Sequence, residues 1–169
     1  MATAIKKILI IGPSWIGDMV MAQSLFKAIK ADNPTVLIDV LALAWTKPLL
    51  ERMPEVNKAI TMPISHGVFG WNMRKQLGHD LRKEHYDQAI VLPNSWKSAL
   101  IPWFANIPIR TGWRGEMRYG LLNDIRTLDQ QALPLMVQRY VSLAYPASQS
   151  YAAPSYPTPL MISETPHSD

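Results

Sequence analysis

The sequence predicts an α/β fold in which a mostly parallel sheet carries helices on both faces. Short apolar runs, such as residues 8–11 and 89–92, alternate with longer segments whose apolar residues recur at helical spacing. Glycine or proline separates many of these segments, as at Gly12 and at Asn33-Pro34. Such alternation is typical of parallel strands joined by right-handed helical crossovers.

The N-terminal half contains three predicted strands and two predicted helices. In order, they are a strand at 8–11, a helix at 18–30, a strand at 36–43, a short helix at 47–52 and a strand at 58–62. The first strand is wholly aliphatic, and Met21, Leu25 and Ile29 place one apolar face on the helix that follows. Met53-Pro54 is expected to end the short helix.

The C-terminal half continues the same alternation. In order, the sequence predicts an amphipathic helix at 71–84, a strand at 88–92, a helix at 95–104 interrupted or kinked by Pro102, a strand at 107–112 and a helix at 133–143. Residues 146–169 hold five of the 14 prolines and lack periodicity, so we expect a linker or tail after a domain spanning residues 1–145.

The turn after the first strand is the first candidate site. Gly12 and Gly17 resemble half of a phosphate-binding loop, but Asp18 stands where such a loop has lysine. A carboxylate would repel a phosphate, so the turn is a poor nucleotide cradle and a plausible seat for a general base. The alternative is that Asp18 only caps the helix, because aspartate is favoured at helix N-termini.

Three further groups are candidates for binding. Two follow predicted strands, where parallel sheets bind ligands beyond the carboxyl ends of their strands, and the third is a basic helix face. Asn94 follows one predicted strand, where it contacts a substrate or, like Ser95, caps the next helix. Segment 110–119 carries arginines, including Arg114 and Arg118, with glycines and aromatic residues that suit anionic sugars. The alternative is a solvated loop whose arginines pair with Glu116 and Asp124.

The helix at 71–84 presents the basic residues Arg74, Lys75, His79, Arg82 and Lys83 at three- and four-residue steps. Such a face suits an acidic lipid head group or a polyanionic sugar, although most charged helix faces are simply solvated.

Composition excludes several classes of protein. The chain has 169 residues, a net charge of +4 and no cysteine, so disulfide frameworks and thiolate chemistry are excluded. The four histidines form no metal-binding pair, and His66-Gly67 is expected to be a turn. Lysine and arginine form no dense stripe, so we expect no nucleic-acid partner. No apolar run reaches the length of a membrane span, and the short N-terminus predicts no signal peptide and a cytoplasmic protein.

Four segments resemble the ADP-heptose:lipopolysaccharide heptosyltransferases. They are residues 11–21, 52–57, 91–100 and 110–124, and the similarity runs from about Lys7 to Tyr145. The resemblance implies a Rossmann-like domain that receives the acceptor, as the N-terminal half of a two-domain GT-B glycosyltransferase. It also implies that Asp18 is the general base in an inverting transfer of heptose from ADP-heptose to the first heptose of the inner core.

The resemblance further implies an acceptor of the heptosyl-Kdo2-lipid A type, whose carboxylates and phosphates would meet basic residues. We therefore predict that Arg74, Lys75, Asn94, Arg114 and Arg118 bind the acceptor, with no metal and no cofactor held by the protein. Peripheral contact with the cytoplasmic face of the inner membrane is a further expectation.

A complete enzyme of this kind is roughly twice as long, by the usual domain size. We expect the donor domain to be absent from these 169 residues and the chain alone to be inactive without it. Two alternatives stay open, namely a non-catalytic module that binds polyanions or glycolipids, and an unstable truncated remnant.

Overall fold

A single parallel sheet organises the protein. The computed structural model describes residues 4–65 and 68–149, and within them six strands pair in the order β3-β2-β1-β4-β5-β6. The strands are Lys7–Ile11 (β1), Leu37–Ala42 (β2), Lys58–Thr61 (β3), Gln88–Val91 (β4), Ile109–Trp113 (β5) and Asp124–Arg126 (β6). All five pairings are parallel, which confirms the predicted α/β, Rossmann-like fold.

Strand β1 lies at the centre of the sheet, at the point where the order in which strands are added reverses. Ile8 pairs with Ile38 of β2 on one side and with Gln88 of β4 on the other. The connections lead first toward β3 and then, after β3, return past β1 to β4. In open α/β sheets, ligands bind beyond the carboxyl ends of strands at such a switch point. The loops after β1 and β4 therefore form the expected site.

Helices cover both faces of the sheet. They are Ile16–Asp32 (α1), Lys47–Leu50 (α2), Trp71–Leu81 (α3), Leu100–Phe104 (α4) and Met136–Ser142 (α5). Helices α1 and α5 pack together and share one apolar core, which includes Phe26 and Tyr140. Helices α3 and α4 pack together on the opposite face, above Leu9 and Val91. None of the described helices is long and apolar enough to span a membrane.

A buried polar network ties the sheet together near the beginnings of its strands. The Asp39 carboxylate is fully buried and accepts hydrogen bonds from the Tyr86 hydroxyl (2.7 Å) and the Asn57 amide (2.8 Å). The Lys7 ammonium lies 3.7 Å from Asp39 and donates to Glu84 at 2.6 Å. Burial and the Asp39 charge raise the pKa of Tyr86. This network is structural, because its groups satisfy one another.

Two predicted helices and one unpredicted strand mark the main differences between the predicted elements and the structure. Segment 95–104 is not one kinked helix, because a 3₁₀ turn at Trp96–Ala99 precedes α4, and Pro102 falls in the first turn of α4, where it costs no hydrogen bond. The helix predicted at 71–84 ends at Leu81 and is followed by a 3₁₀ turn. Strand β6 was not predicted.

The C-terminal boundary stays a prediction. Ala147–Gln149 forms a 3₁₀ turn, and the rest of the predicted tail, from Ser150 onward, lies outside the described residues. The turn predicted at His66-Gly67 also lies outside them.

Candidate active site at the carboxyl edge of the sheet

The turn after β1 brings the start of α1 close to the sheet. The Gly12 amide donates to the Leu41 carbonyl at 2.9 Å, and a Cβ at Gly12 would lie 2.6 Å from the Met19 side chain. The Met19 methyl is the flexible end of a side chain and can shift, but the Ala42 Cβ and the Leu41 carbonyl oxygen, each 3.3 Å from that Cβ, leave little room for a side chain at Gly12. Trp15 occupies the N-cap position of α1, without a side-chain capping bond, and Asp18 lies in the first helical turn. The alternative that Asp18 serves as the N-cap is wrong.

Asp18 faces a cavity of about 260 Å³ at this edge. Its lining includes Asn94 after β4, Trp113 at the end of β5, and Arg139 and Tyr140 on α5. Asp18 is half-buried, and among the described residues its carboxylate makes no hydrogen bond or salt bridge. Burial and the negative charge of Asp18 raise the pKa of Tyr140 to about 12, so the hydroxyl remains protonated at neutral pH. The cavity thus contains an unpaired carboxylate that can accept a proton.

The buried guanidinium of Arg118 joins the loops that follow β4 and β5. Its Nη1 donates to the Pro93 carbonyl at 2.7 Å and to the Ser98 hydroxyl at 3.2 Å, and its Nη2 donates to the Trp113 carbonyl. Arg118 is 0% exposed, and burial lowers its pKa to about 10, against the opposing effect of the Glu116 charge. A fully enclosed guanidinium cannot contact the acceptor substrate. We therefore replace the predicted role of Arg118 in acceptor binding by a role in holding these two loops together.

Glu116 and Gly115 fasten the same two loops. The Glu116 amide donates to the Asn94 carbonyl at 3.0 Å, and its carboxylate accepts from the Trp96 amide at 3.0 Å. Gly115 has a φ of +51°, and a Cβ there would clash with the Asn94 carbonyl. Neither Asn94 nor Ser95 makes the expected side-chain cap, because Glu116 satisfies the first amide of the 3₁₀ turn instead.

A second cavity, of about 270 Å³, adjoins the first and has Ser14 and Pro93 in its lining as well. Arg74 lines it and is 7% exposed, with its guanidinium donating to the Phe69 carbonyl (2.6 Å) and the Lys97 carbonyl (3.3 Å). Burial lowers the pKa of Arg74. Lys97 is also among the residues that line this cavity. Two cations beside several hydroxyls suit a carboxylate or phosphate.

The predicted acceptor residues occupy different environments. Asn94 is exposed and lines the cavity of Asp18, and Arg74 lines the neighbouring cavity. Lys75 and Arg114 are exposed and line neither cavity, although Arg114 directly follows β5. The predicted basic face of α3 is therefore divided, because Arg74 is buried while Lys75 is exposed.

The ion pairs expected for the arginines of segment 110–119 differ from those in the structure. Arg110 donates to the Leu121 and Ile107 carbonyls, and Asp124 pairs with Arg126 at 2.7 Å. Within the described residues, neither Glu116 nor Asp124 forms a salt bridge with an arginine of segment 110–119. In the described part of the chain, no cluster of three or more acidic or histidine side chains could hold a metal ion.

Sequence reasoning did not identify Arg139 and Tyr140 as cavity residues. Both lie on α5, and the packing of α5 beside α1 brings them to Asp18. A final helix at 133–143 was predicted, but the sequence does not show which face of the sheet that helix covers. Arg139 is half-buried and donates to the Leu133 carbonyl at 3.0 Å.

Comparisons with known proteins show which family this chain resembles. The family model of glycosyltransferase family 9 (heptosyltransferase) matches residues 74–168. The chain is 63% identical to lipopolysaccharide heptosyltransferase 2 of Salmonella typhimurium and 60% identical to that of Escherichia coli, each over 155 residues. These alignments cover 92% of this chain and 44% of each relative, so the chain spans less than half of their length.

Solved structures show the same similarity. The structure of E. coli ADP-heptose lps heptosyltransferase II matches with a TM-score of 0.83 and 55% identity, covering 92% of this chain and 46% of that chain. E. coli heptosyltransferase WaaC with ADP matches with a TM-score of 0.68 and 18% identity over 91% of this chain and 49% of that chain, which supports the fold alone.

Proposed function

Because the chain belongs to glycosyltransferase family 9, the heptosyltransferases, we propose that it forms the acceptor-binding side of an inverting heptosyltransferase. The proposed reaction transfers heptose from ADP-heptose to the first heptose of the lipopolysaccharide inner core. The observation that carries the proposal is the Asp18 carboxylate, half-buried in a cavity at the switch point of the sheet and unpaired among the described residues.

In the proposed mechanism, Asp18 is the general base. Its carboxylate takes the proton of an acceptor hydroxyl as that oxygen attacks the anomeric carbon of the donor. The new glycosidic bond forms on the face opposite the departing ADP, so the anomeric configuration inverts. A carboxylate can act in this way when it lies within hydrogen-bond distance of the hydroxyl.

The neighbouring cavity provides cations for the acidic part of the acceptor. Arg74 and Lys97 would bind carboxylates or phosphates of the inner core, and Asn94 would contact a sugar hydroxyl. Arg139, which lines the cavity of Asp18, adds a cation that the sequence did not suggest. Lys75 and Arg114 are proposed as outer contacts because both are exposed.

We assign binding of the ADP-heptose donor to a second domain. In the relatives, the part of the sequence that this chain does not match is long enough to form such a domain. Transfer by these 169 residues therefore requires that domain, which a chimaera can supply. The natural choice is E. coli lipopolysaccharide heptosyltransferase 2 with its N-terminal part replaced by this chain.

The test compares Asp18→Asn with Asp32→Asn in that chimaera. Asp32 is the last residue of the same helix and is exposed, so it controls for the loss of one negative charge on α1. We expect Asp18→Asn to lower kcat by roughly 100-fold or more, since general bases contribute about 10²–10⁴-fold. Asp32→Asn is expected to retain full turnover.

Thermal unfolding of each variant separates catalysis from stability. The proposal fails if Asp18→Asn retains turnover within a few-fold of the parent chimaera while remaining folded. If the parent chimaera binds the acceptor in a salt-sensitive manner but never transfers heptose, a polyanion-binding module becomes the better account.

A further inference from the structure

Five aromatic side chains form a continuous patch on the side of the molecule that carries α3 and α4. This aromatic surface consists of Phe69, Trp71, Trp96, Trp103 and Phe104. The three tryptophans are 42–44% exposed and Phe69 is 39% exposed, whereas Phe104 is buried beneath them. So much exposed tryptophan in one place points to a binding surface rather than to scattered surface residues.

Ring contacts connect all five members. Phe69 lies 5.4 Å from Trp96 and 6.0 Å from Trp71, measured between ring centroids. Trp71 and Trp103 pack edge-on against Phe104 at 5.3 Å and 5.0 Å. The rings support one another, so the tryptophans are held in place without being buried, which lowers the entropic cost of inserting them into another phase.

Positive charge surrounds the aromatic surface. Lys75 is exposed on α3, Lys97 follows Trp96, and the Arg82 guanidinium donates to the Phe104 carbonyl at 2.8 Å. Two carboxylates accompany these three cations, since Asp80 accepts a hydrogen bond from the neutral Gln76 amide and Glu116 accepts one from the Trp96 amide. Glu84 is paired with Lys7 and Lys58 instead. The surface therefore combines amphipathic rings with a small net excess of cations.

We propose that the aromatic surface docks the protein on the interface of an anionic phospholipid bilayer. Tryptophan rings favour the level of lipid head groups, and neighbouring lysine and arginine side chains attract anionic lipids. Aromatic rings are also enriched in protein interfaces, so the choice of a bilayer rests on the neighbouring lysines, which are depleted there.

The surface also adjoins the acceptor cavity, a link that rests on the proposed function. Arg74 lines that cavity and donates to the carbonyls of Phe69 and Lys97, which belong to the aromatic surface and its border. A bilayer docked on the rings would hold a lipid-anchored sugar beside Arg74. The membrane thereby acts as a partner that delivers the acceptor to the site.

Vesicle co-sedimentation of the 169-residue chain tests the proposal. The probes are vesicles of phosphatidylglycerol with phosphatidylethanolamine, and vesicles of phosphatidylcholine, all free of lipopolysaccharide. We expect binding to the anionic vesicles that weakens with salt. The double variant Trp71→Ser/Trp103→Ser should reduce that binding at least tenfold, and Lys75→Gln roughly fivefold. The matched control is Trp45→Ser, which removes a tryptophan that is 51% exposed outside the aromatic surface.

A second measurement covers the case in which the double variant fails to fold. Tryptophan fluorescence of the parent chain should be quenched by anionic vesicles that carry brominated acyl chains. Absence of quenching, absence of vesicle binding, or an equal loss in Trp45→Ser would overturn the proposal. It would also be overturned if the tryptophan variants abolished a dimer, detected by analytical ultracentrifugation, while leaving vesicle binding unchanged.

Failure of this proposal is distinguishable from failure of the proposed function. The vesicles contain no acceptor, so their binding reports only on the surface. In the chimaera, Trp103→Ser should preserve transfer to a water-soluble, deacylated acceptor and reduce transfer to an acceptor embedded in vesicles. An equal effect on both acceptors would contradict membrane docking but leave the role of Asp18 intact.

Discussion

Replacing Arg118 with methionine tests whether the loops around the candidate site depend on its buried guanidinium. Methionine retains much of the apolar stem but leaves the carbonyls of Pro93 and Trp113 without this donor. Each carbonyl left unpaired in the interior costs about 1–3 kcal/mol. The Pro93 carbonyl keeps one donor within reach, the Ser98 hydroxyl at 3.2 Å, so the loss falls mainly on the Trp113 carbonyl. Part of this loss is offset, because the variant no longer buries a positive charge.

The expected net loss in the free energy of unfolding is therefore roughly 2–4 kcal/mol, a large share of the ~5–15 kcal/mol that stabilises a typical domain. Equilibrium unfolding in urea measures it, and the melting temperature should fall by about 4–16 °C, at roughly 2–4 °C per kcal/mol for a chain of this size. Arg114→Met is the matched control, because Arg114 is exposed in the same loop and should change stability by less than about 0.5 kcal/mol.

Two results would refute this reasoning about Arg118. One is an unfolding free energy of Arg118→Met within about 0.5 kcal/mol of the parent chain. The other is a variant of unchanged stability whose acceptor binding is lost, since that combination would restore Arg118 as an acceptor contact. Loop holding and acceptor binding can be separated in this way, because only loop holding affects the stability of the chain when no acceptor is present.

Three further predictions concern packing and pH. Gly115→Ala should cost about 1–3 kcal/mol in urea unfolding, because φ is +51° and the Cβ meets the Asn94 carbonyl; Gly17→Ala, in open space, should not destabilise. Gly78→Ala should cost about 1–3 kcal/mol, because its Cβ would overlap Phe104 and force α3 from α4; a loss below 0.5 kcal/mol would contradict that packing. Burial alone would raise the pKa of Asp124, but hydrogen bonds to its carboxylate outweigh burial and lower it. Stability from this carboxylate is thus present above the unfolded pKa of about 3.9 and lost as pH falls through the lower folded value. Asp124→Asn should flatten the acid limb of unfolding free energy against pH, and an unchanged acid limb would contradict the assignment.

The sheet was largely predictable because its central strands are continuously apolar. Residues 8–11 and 89–91 are apolar and buried, so sequence and environment agree. Strand β6 escaped prediction because it has three residues, two of them charged. Its place depends on tertiary contacts instead, since the Thr111 hydroxyl donates to Asp124 at 2.8 Å and Arg126 pairs with the same carboxylate.

The candidate site was predictable only in part. The glycine turn after β1 identified Asp18, because the turn, the helix and the carboxylate are adjacent in sequence. Arg139 and Tyr140 come from a helix more than 100 residues later, and only the packing of α5 on α1 brings them to the cavity. Arg118 was misjudged because charged residues in glycine-rich loops are ordinarily exposed, whereas this one has carbonyl acceptors from two loops.

The most direct test of the central claim is a crystal structure of this chain with a water-soluble, deacylated inner-core acceptor. The account predicts that an acceptor hydroxyl lies about 2.6–3.2 Å from the Asp18 carboxylate, with an acidic group of the acceptor against Arg74 and Lys97. An acceptor bound elsewhere, with every hydroxyl beyond the reach of Asp18 even through one bridging water, would contradict it.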